Sequence, residues 1–199
     1  MSIRVRLLVS ALAALFFVRP LLSHLAYQGG GGDILYFHFL WNAARMTWVE
    51  FHQIPLWNPY HCGGMVELAN PHSMALSPLF IPALLFGADV GLRVFIISHF
   101  VIAFWGMWEW ARSRGVPDRW AVAAGVPFAM GGFFAARSAG HISFLAFAWT
   151  PWIMLCLERA RRSWAYAYLA GVLVALCVYE GSPYGTTFMI VLASMRQKN

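Results

Sequence analysis

Residues 92–111 read LRVFIISHFVIAFWGMWEWA, an almost unbroken apolar run with a single histidine, His99, near its middle. About twenty residues at a rise of about 1.5 Å each cover the hydrocarbon thickness of a bilayer. Similar runs follow at about 120–136, 142–157 and 164–180, and one precedes at 7–26. The 7–26 run has a basic start but no convincing small-x-small cleavage site, so it reads as an uncleaved first span. A last run, 184–195, is long enough to cross only as a thinned or re-entrant segment starting at Pro183. Over 199 residues the chain is 60% apolar and only 11% charged, against about half and about a quarter in a soluble domain. That composition excludes a disordered chain, a nucleic-acid-binding tail and a secreted disulfide scaffold. It predicts an all-α polytopic transmembrane bundle of about six spans, which would use about 120 residues.

Charge placement tests the layout. With the N-terminus in the cytoplasm, Arg4, Arg6, Arg112, Arg114, Arg119, Arg159, Arg161, Arg162, Arg196 and Lys198 fall inside, 10 of the 14 basic residues. The net charge of +6 is thereby explained by cytoplasmic loops and calls for no nucleic-acid partner. Counting 76–88 as a span would invert this sorting; with Pro78 and Pro82 it reads instead as a short piece at the outer interface. Six histidines and the acids Asp33, Glu50, Glu67, Asp89 and Glu180 then lie at or beyond the outer face. The three cysteines have no disulfide or zinc spacing.

The outer loop, 27–91, is far longer than a connection needs, and long loops usually carry function. Its residues 34–52 predict an interfacial helix whose apolar face is Ile34, Phe37, Trp41, Ala44, Trp48 and Phe51. His38, Asn42, Arg45 and His52 lie on the other side. Asp33, preceded by four glycines, has two readings: an N-cap of that helix, or a catalytic carboxylate. Residues 55–78, PLWNPYHCGGMVELANPHSMALSP, are a turn-rich segment. Trp57, Asn58, His61, Asn70 and His72 are turn residues one by one, and as a set are suited to a sugar-binding surface. Arg137, His141 and Glu180 stand near the outer ends of later spans, where ionisable groups are functional candidates, though Arg137 also fits snorkelling. Asp33 and His38 are five apart and share no helix face, so the spacing supports no metal and no cofactor is established; a divalent ion stays an open alternative.

The string Pro55-Leu56-Trp57-Asn58-Pro59-Tyr60, then Gly63-Gly64 and Ala69-Asn70-Pro71, resembles the YfhO-like family of bacterial multi-pass membrane proteins. Gly131-Gly132-Phe133-Phe134, Gly140-His141 and Trp149-Thr150-Pro151 fit the same pattern. His72 departs from it, standing where the family usually has Gln, and Glu180-Gly181-Ser182-Pro183 matches only loosely. The family is similar to GT-C glycosyltransferases. The resemblance implies transfer of a sugar from a polyprenyl-phosphate donor to an extracytoplasmic glycan or polymer acceptor, with Asp33 as catalytic base or as an acceptor-orienting carboxylate. His38, Arg45, Trp57, Asn58, Asn70, His72, Arg137, His141 and Glu180 are the candidate substrate-binding residues. Family members are several times longer, so residues 1–199 are expected to form a single membrane module like the N-terminal part of such a protein, a fragment or a truncated gene product, in the bacterial inner membrane. The alternative is a non-catalytic module that binds a lipid carrier or assembles with a partner.

Overall fold

The computed structural model describes residues 32–182, together with Val5, Leu8, Leu12, residues 185–187 and Ile190. Most of the expected first span, 7–26, and last span, 184–195, therefore lies outside the described residues. Helix α1 (Gly32–Val49) leads into a loop whose two short strands, β1 (Trp57–Asn58) and β2 (Met65–Val66), pair antiparallel. A 3₁₀ turn, Pro78–Phe80, then runs into α2 (Ile81–Phe86). Helix α3 (Ala88–Ser113) follows after Gly87. Helices α4 (Asp118–Met130) and α5 (Gly132–Ser138) are separated at Gly131. A 3₁₀ segment, Ile142–Trp149, continues into α6 (Thr150–Arg159), and α7 (Trp164–Tyr179) follows. The described chain is thus mostly helical.

Helix α3 is the axis on which α1, α2, α4, α6 and the 3₁₀ segment all pack. Among the described residues it is the one helix long and apolar enough to cross a membrane, with a mean hydropathy of 1.8 over its most apolar window. Its 26 residues span about 39 Å at 1.5 Å each. Ser163 starts α7 by accepting from Ala165 N, while α3 stops where Gly115 takes φ +83 and Pro117 follows.

Two differences from the apolar pattern have local causes. The run 120–136 is two helices because the Gly131-Gly132 pair breaks it, four residues after Pro127. The run 142–157 begins as a 3₁₀ segment: Pro151 has no N–H to donate back to Phe147, and Thr150 N bonds the Phe147 carbonyl instead.

A third difference concerns α1. Its apolar face is not turned to a membrane interface but covered by protein. Ile34, Phe37, Leu40, Trp41 and Ala44 are buried. The reason is the 3₁₀ turn before α2 together with α3, which offer Phe80 and Phe95 to the Trp41 ring at 4.9 and 5.5 Å, both edge-on. Phe51, expected on the same face, lies past the helix end and is exposed.

The turn after α7 makes the closest backbone approach. Gly181 has φ +79, and a methyl there would overlap the Pro71 carbonyl oxygen. Gly181→Ala should therefore destabilise by at least the roughly 1–2 kcal/mol of a left-handed non-glycine residue. Gly171→Ala, in open space within α7, should be neutral or stabilising by up to about 1 kcal/mol. Thermal melts of both variants in detergent check the opposite signs; a Gly181→Ala melt at or above that of the unchanged protein would contradict the packing.

Candidate functional site

The acidic start of α1 and the residue before the 3₁₀ segment meet. Asp33 Oδ2 lies 2.9 Å from His141 Nε2, and both side chains are about half exposed. Asp33 sits inside the first turn of α1 rather than before it, so the N-cap reading gives way to a first-turn carboxylate favoured by the helix dipole. Gly140 passes beside it; a Cβ there would stand 3.8 Å from Asp33 Cβ.

His72 joins this pair. Its ring packs edge-on against Phe37 at 5.4 Å and Tyr36 at 6.3 Å. Burial holds its pKa below the ordinary value; the His141 charge pushes the same way and Asp33 opposes it. Neutral His72 therefore adds stability above about pH 6.5, which is lost as pH falls through its lower folded value. Tyr36 also meets the ring of His61. Arg137 lies over the Phe144 ring at 4.8 Å, and Phe144 touches His141. The result is a carboxylate, two imidazoles and a guanidinium gathered from α1, the outer loop, α5 and the start of the 3₁₀ segment.

Other candidates stand elsewhere. Arg45 is twelve residues beyond Asp33 on the same helix, about 18 Å along its axis, and does not join the cluster. His38 pairs with Asn42, whose Nδ2 is 3.0 Å from His38 Nδ1 and donates to the His38 carbonyl at 2.9 Å. Trp57 is exposed and lies over Gly64, which has no side chain to obstruct it.

Asn58 is not a surface contact. It is 1% exposed, donates to Glu67 Oε2 at 2.9 Å and accepts from Tyr60 N at 3.0 Å. It closes the small hairpin. Asn70 likewise turns the chain by accepting from His72 N at 3.0 Å, which aims His72 at the pair.

Glu180 does not line the cluster either. It is 1% exposed, and its oxygens are taken by His99 Nε2 at 2.9 Å, Trp149 Nε1 at 2.7 Å and Ser77 Oγ at 3.3 Å. The sequence reading named Glu67 among the outer acids and His99 inside its apolar run, but made neither a site residue. His99 had a usable signal: an ionisable group inside an apolar run requires a partner.

The fold and cluster define a mostly helical protein with a half-exposed acid–histidine pair at the start of α1, beside the loop that carries His72. No family model, no curated protein and no solved structure matches the chain. Among the described residues no group of three His, Cys, Asp or Glu side chains could hold a metal ion.

Glu67 supplies a test of the loop. Burial raises its pKa above the ordinary 4.5, against the opposing pull of Asn58, Ser73 and His61. The folded loop so retains a proton that the unfolded chain has lost, and the stabilisation this gives fades as pH rises through the folded value. Glu67→Gln keeps the acceptor for Asn58 and removes the buried charge. Its melting temperature should exceed that of the unchanged protein at pH 8, and the gap should close at pH 4. Equal melts at pH 8 would contradict the buried setting.

Proposed function

We propose that this chain is part of a GT-C-like membrane glycosyltransferase that moves a sugar from a polyprenyl phosphate to an extracytoplasmic hydroxyl. The observation that carries the reading is the Asp33–His141 pair, held in a half-exposed position beside His72 and Arg137. The resemblance of residues 55–71 to YfhO-like proteins supports the same reaction class. In the reaction the acceptor oxygen attacks the anomeric carbon of the donor sugar. The bond from that carbon to the phosphate oxygen breaks, and the polyprenyl phosphate leaves with the electron pair. The hydroxyl proton passes to the Asp33 carboxylate, which is half exposed. His141 orients that carboxylate through Oδ2, and Arg137 offsets the charge growing on the departing phosphate.

The setting proposed for this site is a multi-pass bundle of about six spans in a bacterial inner membrane, N-terminus inside. The arginines at the far end of α3 support that orientation. Arg112 pairs with Glu109 and Asp118 and Arg114 with Glu158, away from the histidine cluster. Single-cysteine variants near residues 60 and 140 should react with an impermeant thiol reagent from outside intact cells, and those near 115 and 160 should not. Labelling at 115 would overturn the orientation.

A second reading, a non-catalytic lipid-carrier module, draws on a different feature. An apolar cavity of about 450 Å³ on α3 is lined by Leu79, Ile97, Val101, Trp105, Trp149 and Trp152, and could hold an aliphatic chain without chemistry. Asp33→Asn separates the two. The change keeps size and removes charge, so a general base should lose sugar transfer by about 10²–10⁴. The measurement is transfer from a radiolabelled polyprenyl-phosphate sugar in membranes from cells expressing the gene's whole reading frame. Retained transfer in Asp33→Asn would remove Asp33 from the reaction, and polyprenyl-phosphate binding without turnover would select the second reading.

A further inference from the structure

Two segments bring histidines to the candidate site, and one buried carboxylate touches both. Residues 70–77 carry His72, and the turn that follows α7 pins them at either end. At one end Gly181 abuts the Pro71 carbonyl and the Met74 side chain. At the other, Ser77 Oγ donates to Glu180 Oε1 at 3.3 Å. The second segment, Ile142–Trp149, begins directly behind His141 and ends at Trp149, whose Nε1 donates to Glu180 Oε2 at 2.7 Å. Glu180 is itself tied to α3, because His99 Nε2 stands 2.9 Å from the same Oε2.

The proton inventory of this network is fixed by its acceptors. His99 Nδ1 lies 2.8 Å from the Phe95 carbonyl, which can only accept, so Nδ1 carries hydrogen. Nε2 faces a carboxylate oxygen, so one further proton lies between ring and carboxylate. His99 is 0% and Glu180 1% exposed. A buried carboxylate is tolerated only when it is paired in this way.

We propose that Glu180, held by His99, is a positioning residue that sets His72, through Ser77 and residues 70–77, against His141 and Asp33. The role rests on the reading of Asp33–His141 as the reacting pair, but its test reads His72 directly and needs no substrate. The charged groups facing His72 are Asp33 on α1 and His141 before the 3₁₀ segment, with His61 across Tyr36 and Arg137 over Phe144.

The experiment is an NMR titration of the His72 ring in ring-labelled protein in nanodiscs, assigned with His72→Asn. Glu180→Gln preserves volume but cannot satisfy both partners of Oε2. An amide NH₂ there meets the Trp149 N–H, and an amide oxygen meets a ring nitrogen with no hydrogen. Combining it with Trp149→Phe removes the competing donor, so the amide can donate to His99 Nε2 and accept from Ser77. In Glu180→Gln the His72 titration should move up, toward the ordinary histidine range. In Glu180→Gln/Trp149→Phe it should return to the position seen in the unchanged protein. An unmoved titration in the single variant would overturn the proposal, and so would a double variant that fails to return. Should the single variant not fold, the double is expected to; failure of both overturns the proposal too. Absence of sugar transfer in every variant would count against the enzyme reading alone and leave the titration result standing.

Discussion

A carboxylate buried among apolar side chains is costly unless its oxygens are paired, and Glu180 meets that demand with groups from three separate parts of the chain. His99 comes from α3, Trp149 from the 3₁₀ segment and Ser77 from the outer loop. Taking away one partner of a buried charge costs about 3–5 kcal/mol, so the three elements cannot drift independently. Hydrophobic burial alone is less exacting, because an apolar helix can slide on its neighbour at little loss of buried area. The polar network fixes the register that the aromatic contacts along α3 leave free.

Departures from regular helix lie on the path to the candidate site. The segment Ile142–Trp149 has eight residues in 3₁₀ form, longer than the three or four that are usual. At about 2.0 Å per residue it covers about 16 Å, against about 12 Å for an α-helix of the same length. The extra reach carries His141 out from the level of Trp149 to Asp33. The break at Gly131-Gly132 serves the same end by redirecting the chain, so that Arg137 stands on Phe144 rather than following the line of α4.

What the sequence discloses follows from what each signal measures. The runs 92–111 and 164–180 coincide closely with α3 and α7, since long apolar stretches bounded by Gly, Pro or Ser have few other solutions. Hydropathy does not fall across Gly131 or at Trp149, so a reading by apolar length ran through the broken helix and the 3₁₀ segment although Gly131-Gly132 and Pro151 stand in the sequence. The period in α1 shows which face is apolar but not what covers it, and protein takes the place expected for the membrane interface. In the site, Asp33, His72, Arg137 and His141 were legible as ionisable groups outside or at the ends of the apolar runs. That Asp33 and His141 touch while Arg45 stands apart is a matter of tertiary distance, which residue type does not encode. Asn58 misled because an exposed sugar contact and a buried turn residue use the same amide chemistry.

The chain contains two acid–histidine pairs with the same separation of 2.9 Å, and burial alone assigns them different work. The His99–Glu180 pair is sealed, so neither group can exchange a proton with solvent or meet a substrate. Its strength is that breaking it is expensive. The His141–Asp33 pair is half exposed, and an ion pair in that position contributes only about 0–1 kcal/mol. It is worth little as a fastening, which suits the proposed reaction: there the carboxylate releases its partner, accepts a proton and recovers without disturbing the fold. A rigid pair inside and a loose pair outside, joined through residues 70–77 and 142–149, let the molecule keep its geometry while the exposed pair changes charge.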